Sequence, residues 1–165
     1  MEKGAITESY GLDPKTAIDV LQTALATEIV CVLRYSAHAA SAEGINSSEV
    51  RAEFEEHAED ERTHMKQIAE RINELGGKPN MSPDGLLTRA HSEYGEGTDL
   101  IDMIKENLVA ERVAVESYTE MIRFFGDKDP TTRIMLEEIL SKEEEHASDM
   151  HDLLVAREGR PMLKE

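Results

Sequence analysis

The stretch ATEIVCVLRY at residues 26–35 returns half a chain later as VAERVAVESY at residues 109–118, with five of the ten positions identical or nearly so. Each segment belongs to a longer stripe picked out by alternating steps of three and four residues, the spacing of one helix face. The first stripe reads Leu21, Leu25, Glu28, Val32, Tyr35, and its counterpart Ile104, Leu108, Glu111, Val115, Tyr118, Ile122, Phe125. In both, a glutamate stands where an apolar side chain belongs, seven positions before a tyrosine.

Two further stripes share the fault. One reads Val50, Phe54, His57, Glu61, His64, Ile68 and the other Leu136, Ile139, Glu143, His146, Met150, Leu153, each with Glu-x-x-His at its middle. Glu28 precedes Glu61 by 33 positions and Glu111 precedes Glu143 by 32, so the halves of the chain repeat and the site has approximate twofold symmetry. Burying one unpaired carboxylate costs several kcal/mol, and four that converge repel one another. A positive group must lie between them. Four carboxylates with two neutral imidazoles carry a charge of about -4 and offer oxygen and nitrogen ligands, a set that neutralises two divalent transition metals. One Glu from each of two helices with Glu-x-x-His from each of two others is the ligand pattern of di-iron carboxylate bundles. One Glu-x-x-His arises readily by chance in a chain with 35 Asp and Glu. Two in phase with two more core glutamates do not.

Glycine and proline divide the chain into four glycine-free stretches, which predict helices over about 14–42, 47–75, 99–125 and 130–158. Asp13-Pro14 and Asp129-Pro130 open the first and fourth, Asn46 and Glu49 have capping-box spacing, Thr98 precedes the third, and Gly159 and Pro161 close the last. Short links join the first helix to the second and the third to the fourth, giving two antiparallel hairpins. Residues 76–98 hold five of the ten glycines and, extended, could span up to roughly 70 Å, enough to run back along the bundle. A short helix is expected there from Ser82-Pro83 through His91. The expected fold is all-α: an antiparallel four-helix bundle with one long crossover between its second and third long helices, in a single domain over 1–165.

Charge narrows the partners. Eighteen Lys and Arg against 35 Asp and Glu leave a net charge of -17, which repels nucleic acid and anionic lipid and favours cations. No uninterrupted apolar run approaches the roughly 18 residues of a membrane span, Met1 to Leu12 lacks signal-peptide regions, and the single Cys31 forms no intrachain disulfide. A cytoplasmic protein that binds neither nucleic acid nor membrane is expected.

On these motifs the chain resembles bacterioferritins and the DNA-protection-protein-like mini-ferritins over nearly its whole length. The resemblance implies an Fe(II) oxidase using O2 or H2O2 with two iron ions per subunit, Glu28 and His64 being terminal ligands of one, Glu111 and His146 of the other, and Glu61 and Glu143 bridging. It implies a site role for Tyr35. Asp60 matches an inner-surface iron residue of bacterioferritins, although Glu56 replaces its histidine partner. Arg62 stands where bacterioferritin has its haem-ligating methionine, so haem is not expected. With Gly159 to Glu165 alone after the fourth helix and no fifth helix in sight, the smaller dodecameric cage is the expected homo-oligomer. The paired thiols of some relatives are absent.

The remaining candidates have simpler readings. His57 is a packing or ligand-supporting residue, His38, His91 and His151 lie at the surface, Cys31 is a small core residue, and the methionines fill the core. Two other functions compete: a peroxide-destroying di-metal enzyme similar to rubrerythrin or manganese catalase, since the ligand types do not separate Mn from Fe, and a metal-free helical interaction module. Against rubrerythrin, Ala114 occupies the place of that family's extra glutamate. Against the module, it leaves the core glutamates unexplained.

Overall fold

The computed structural model describes residues 4, 6–44 and 47–159. Four long helices carry the chain, α1 (Pro14–Ser41), α2 (Ser47–Glu74), α4 (Leu100–Phe125) and α5 (Pro130–Glu158), and the one-turn α3 (Leu86–Arg89) lies in the crossover between α2 and α4. A 3-10 turn, Gly126–Lys128, joins α4 to α5. Carboxylates fix three of the long helix starts by accepting otherwise unpaired backbone N–H groups. Asp13 accepts from the Thr16 N–H at 2.9 Å and Asp129 from that of Thr132 at 2.9 Å. Asp99, rather than Thr98, caps α4, accepting from Ile101 and Asp102 at 2.9 Å each. Asn46 and Pro161 lie outside the described residues.

The crossover helix is shorter than the span from Ser82 to His91. Gly85 holds a left-handed φ of 67° at its start, Ala90 is extended at its end, and the Arg89 guanidinium donates back to the Asp84 and Ser82 carbonyls at 2.6 and 2.8 Å. These bonds compact the segment as a turn and leave room for a single helical turn.

α1 packs along α2, and α4 along α5. The crossover then climbs α1. Gln22 holds the Lys78 carbonyl and the Asn80 N–H, Thr27 accepts from the His91 N–H at 3.0 Å, and Arg34 reaches Ser92 and the Glu93 carbonyl at 2.6 and 2.9 Å. From Gln22 to Arg34 the helix rises about 18 Å. The crossover accounts for one misplaced histidine: His38 is fully buried, bonded to Asn107 at 2.9 Å and near the Gly95 backbone, because the face of α1 expected to meet solvent is covered.

It also explains why α1 is so apolar. By length and composition this helix could cross a membrane, with a mean hydropathy of 1.6 over its most apolar window, although no uninterrupted apolar run predicted it. Half of that window is buried inside the bundle. Leu21 and Leu25 face the central core, while Ala26 and Val30 pack on Leu86 of the crossover. A helix packed on two sides needs two apolar faces.

The core falls into two apolar blocks. One holds Leu21, Leu25, Ile68, Ile72, Phe125 and Leu136, and the other Phe54, Ile104 and Met150 with Tyr35. The residues of the glutamate stripes lie between these blocks in every long helix.

Candidate metal centre

All six stripe residues are buried: Glu28, Glu61, Glu111 and Glu143 are at most 1 % exposed, His146 is 1 % and His64 is 4 %. α1 supplies Glu28, α2 Glu61 and His64, α4 Glu111, and α5 Glu143 and His146. They converge as two overlapping groups, Glu28, Glu61, His64, Glu143 and Glu61, Glu111, Glu143, His146, with one ligand atom from each member lying within 4.8 Å of the others. Glu61 and Glu143 belong to both groups, as bridging positions would. Nδ1 of His64 lies 3.1 Å from Glu61, 3.0 Å from Glu143 and 3.6 Å from Glu28. Nδ1 of His146 faces Glu61 and Glu143 at 3.8 Å each.

Most of this polar surface has no hydrogen-bond partner among the described residues. Glu28 Oε2, Glu61 Oε1, Glu111 Oε2, both Glu143 oxygens and His146 Nδ1 are buried and unpaired. Buried polar atoms are nearly always paired. Six unpaired oxygen and nitrogen atoms in one place are a donor set for metal cations.

Electrostatics show the cost of bringing these carboxylates together. Burial, then the Glu61 charge, pushes the Glu28 carboxyl well above its ordinary range. Glu111 and Glu143 rise for the same two reasons. Burial also works against the charge on Glu61, but the neighbouring His146 and His64 outweigh it and hold this carboxyl low. Burial opposes protonation of His64 and His146, yet their carboxylate partners raise both imidazoles above the ordinary histidine value.

The surroundings hold the ligand atoms in place. The Tyr35 hydroxyl donates to Glu111 and the Tyr118 hydroxyl to Glu28, so each tyrosine braces the glutamate of the opposite half. Asp60 lies 3.1 Å from Nε2 of His146 and orients the ring so that Nδ1 points inward. The halves differ four residues before each Glu-x-x-His. There α5 has the apolar Ile139, whereas α2 has His57. His57 Nδ1 lies 3.1 Å from the Tyr35 hydroxyl, and its ring stacks on His146 at 3.9 Å between centroids. Burial and the neighbouring His146 lower its pKa to about 3, so the ring is neutral. Its place on the inner stripe was legible; its bond to one tyrosine was not. Cys31 is buried as expected, and Arg34 donates to its sulfur at 3.4 Å.

A sequence model of the ferritin-like domain matches residues 18–158. The chain belongs to the ferritin-like family. The bacterioferritin-related protein of Bacteroides fragilis, a dodecameric thioferritin, is 39 % identical in sequence and superposes with a TM-score of 0.86 over 93 % of this chain and 94 % of its own. The DNA protection during starvation protein of Pyrococcus furiosus is 28 % identical, the match taking in 94 % of this chain and 89 % of that one. The bacterioferritin of Desulfovibrio desulfuricans is 27 % identical over 78 % of this chain and 69 % of its own. Both a bacterioferritin and a DNA-protection protein are thus among its relatives, and its bundle is the ferritin-like one.

Proposed function

We propose that the protein is a ferroxidase: Fe(II) binds at Glu28, Glu61, His64, Glu111, Glu143 and His146 and is oxidised there by O2 or H2O2, for iron storage or detoxification. The carrying observation is the set of six buried, unpaired oxygen and nitrogen atoms in a gap between two apolar blocks. Two ferrous ions give up one electron each, and the oxidant takes the pair. The protein's part is to hold them together, with Glu61 and Glu143 shared between the two ligand groups. Tyr35 and Tyr118 fix the outer glutamates, Asp60 fixes His146, and the apolar blocks exclude water. Tyr35 is assigned a positioning role at Glu111, with His57 behind it.

The dodecameric Bacteroides relative supports a homo-oligomeric cage, for which twelve subunits are proposed here. Haem is not part of the reading: Arg62, after Glu61, is half exposed and pairs with Glu59. Nor is DNA, given the charge of -17, although the Pyrococcus relative is named for DNA protection. The test is anaerobic loading of metal-free protein with Fe(II), addition of O2 or H2O2, and measurement of ferric absorbance and native mass. Rapid oxidation with ferric iron retained in a large assembly is expected. Catalytic loss of peroxide by a monomer or dimer that keeps no ferric iron would favour the peroxide-scavenging alternative.

A further inference from the structure

Among the described residues, a further cluster of possible ligand atoms lies beside the six-residue centre. Glu53 and His57 stand one turn apart on α2, Asp149 faces them from α5, and a ligand atom from each lies within 4.8 Å of the others. Nε2 of His57 is 3.3 Å from Glu53 Oε1 and 3.4 Å from Asp149 Oδ2, neither approach having hydrogen-bond geometry. The ring is 2 % exposed, whereas the Glu53 and Asp149 side chains are 32 % and 39 % exposed.

The direction of the Tyr35 bond decides what Nε2 can offer. Tyr35 has one hydroxyl proton and gives it to Glu111, so its oxygen accepts from His57 Nδ1–H. With Nδ1 turned to Tyr35, Nε2 of this buried ring is aimed at two carboxylates. One imidazole nitrogen and two carboxylate oxygens, each a possible metal ligand, face one another there. Two donors each about 2.1 Å from a shared ion and separated by roughly 105° would stand about 3.3 Å apart, matching the two separations at Nε2.

We propose that Glu53, His57 and Asp149 form an additional site for one divalent transition-metal ion, at the outer edge of the bundle beside the six-residue centre. An imidazole with two carboxylates suits zinc, cobalt, manganese or ferrous iron better than magnesium, which prefers an all-oxygen shell. Water completes the coordination on the exposed side. None of its residues belongs to the six, although His57 also groups with Glu111 and His146.

The experiment is Co(II) titration of the metal-free full chain in its native assembly, without oxygen and with excess magnesium, read by visible absorbance and by metal content after desalting. Wild type should bind three ions per chain. Glu53→Gln/Asp149→Asn should bind two. Glu61→Gln/Glu143→Gln should lose the two central ions and keep the third. A wild-type count of two, or a third ion retained by Glu53→Gln/Asp149→Asn, overturns the proposal. Failure of the ferroxidase reading looks different: the Glu61→Gln/Glu143→Gln protein would keep all three ions. Should the double variant at the outer site fail to assemble, Asp149→Asn alone changes a half-exposed group and must weaken the third ion at least tenfold; unchanged affinity there also overturns the proposal.

Discussion

Two clusters of charged side chains are buried in this bundle, and they are built in opposite ways. At one end, Arg71 of α2 donates to both Asp129 oxygens at 3.0 and 3.2 Å and to Thr132 at 2.8 Å. Asp129 also accepts from the Tyr10 hydroxyl at 2.8 Å and caps α5 through the Thr132 N–H. Every strong acceptor there has a donor, and the cluster ties the N-terminal segment, α2 and α5 together. The mid-bundle glutamates have too few donors, and their spare atoms point at one another. A satisfied buried cluster stabilises the fold; an unsatisfied one, kept at a cost in stability, marks a place for a ligand. Substitutions should therefore separate the two clusters cleanly.

The largest separation is expected from Glu111→Ala. Rapid Fe(II) oxidation should fall by roughly 100-fold or more, since loss of even a supporting residue at a metal site costs ~10–100-fold. Metal-free protein should melt at the same temperature as wild type or higher, because a buried, repelled carboxylate has been removed. Redox-silent Zn(II) should raise the melting temperature of wild type far more than that of the variant, an ion at 100 times its Kd adding about 2.7 kcal/mol. Stopped-flow absorbance and thermal melts with and without zinc check both parts. Unchanged oxidation kinetics would remove Glu111 from the centre.

Asp129→Ala should do the reverse. Arg71 would lose its buried carboxylate, keeping only the half-exposed Glu74 at 2.8 Å, and α5 would lose its cap, a loss of about 3–5 kcal/mol, or roughly 6–20 °C in melting temperature for a chain of this size. Below that melting point, iron oxidation should match wild type. A variant that melts normally would show that the paired cluster contributes nothing, and one that melts normally but oxidises slowly would invert the comparison.

The two clusters were not equally legible in the sequence. The glutamate centre could be read because a charged residue at a core position breaks a pattern, and the same break recurs in four helices. The bundle followed from four glycine-free stretches and one long connection. By contrast, Arg71, Arg34 and Asn107 look like ordinary polar helix residues. Arg34 follows Leu33, and any reading by hydropathy would bury the leucine; the structure leaves Leu33 49 % exposed and Arg34 1 % exposed. What buries Arg34 is the crossover, whose path along α1 depends on side-chain contacts between residues 58 and 73 positions apart. His38 was misread for the same reason. The polarity that pairs at long range leaves no local trace, whereas polarity that is left unpaired does.

Arg34 tests a milder form of the satisfied cluster, because its partners are neutral: Asn107 at 2.9 Å, Ser92, the Glu93 carbonyl and the Cys31 sulfur. Arg34→Met keeps the stem and removes the donors. The cost should be roughly 1–3 kcal/mol, that of leaving buried acceptors unpaired, and smaller than for Asp129→Ala. Hydrogen exchange should quicken along residues 91–95, where the crossover loses its anchor, while the Fe(II) oxidation rate stays within about twofold of wild type. Exchange that quickens across the whole bundle instead would mean that Arg34 holds the core rather than the crossover.

The smallest effect is a pH dependence, and it asks whether the Asp129 cluster acts through its charge or through its shape. Burial alone would raise the Asp129 carboxyl, but hydrogen bonds from the Thr132 side chain and backbone and from Tyr10, together with the Arg71 charge, hold it below the ordinary value. A group whose folded pKa is lowered adds stability that is fully present above its unfolded pKa, about 3.9 for aspartate, and that disappears as pH falls through the lower, folded value. Asp129→Asn keeps the size of the side chain and an oxygen that can cap α5, and removes the charge. The melting-temperature gap between wild type and Asp129→Asn should stay constant from pH 8 to 5 and close below about pH 4. Comparing the two proteins at each pH cancels the titration of the central glutamates, which both retain. A gap that persists unchanged to pH 2 would assign the stabilisation to geometry, and the contrast between the clusters would then rest on hydrogen bonds alone.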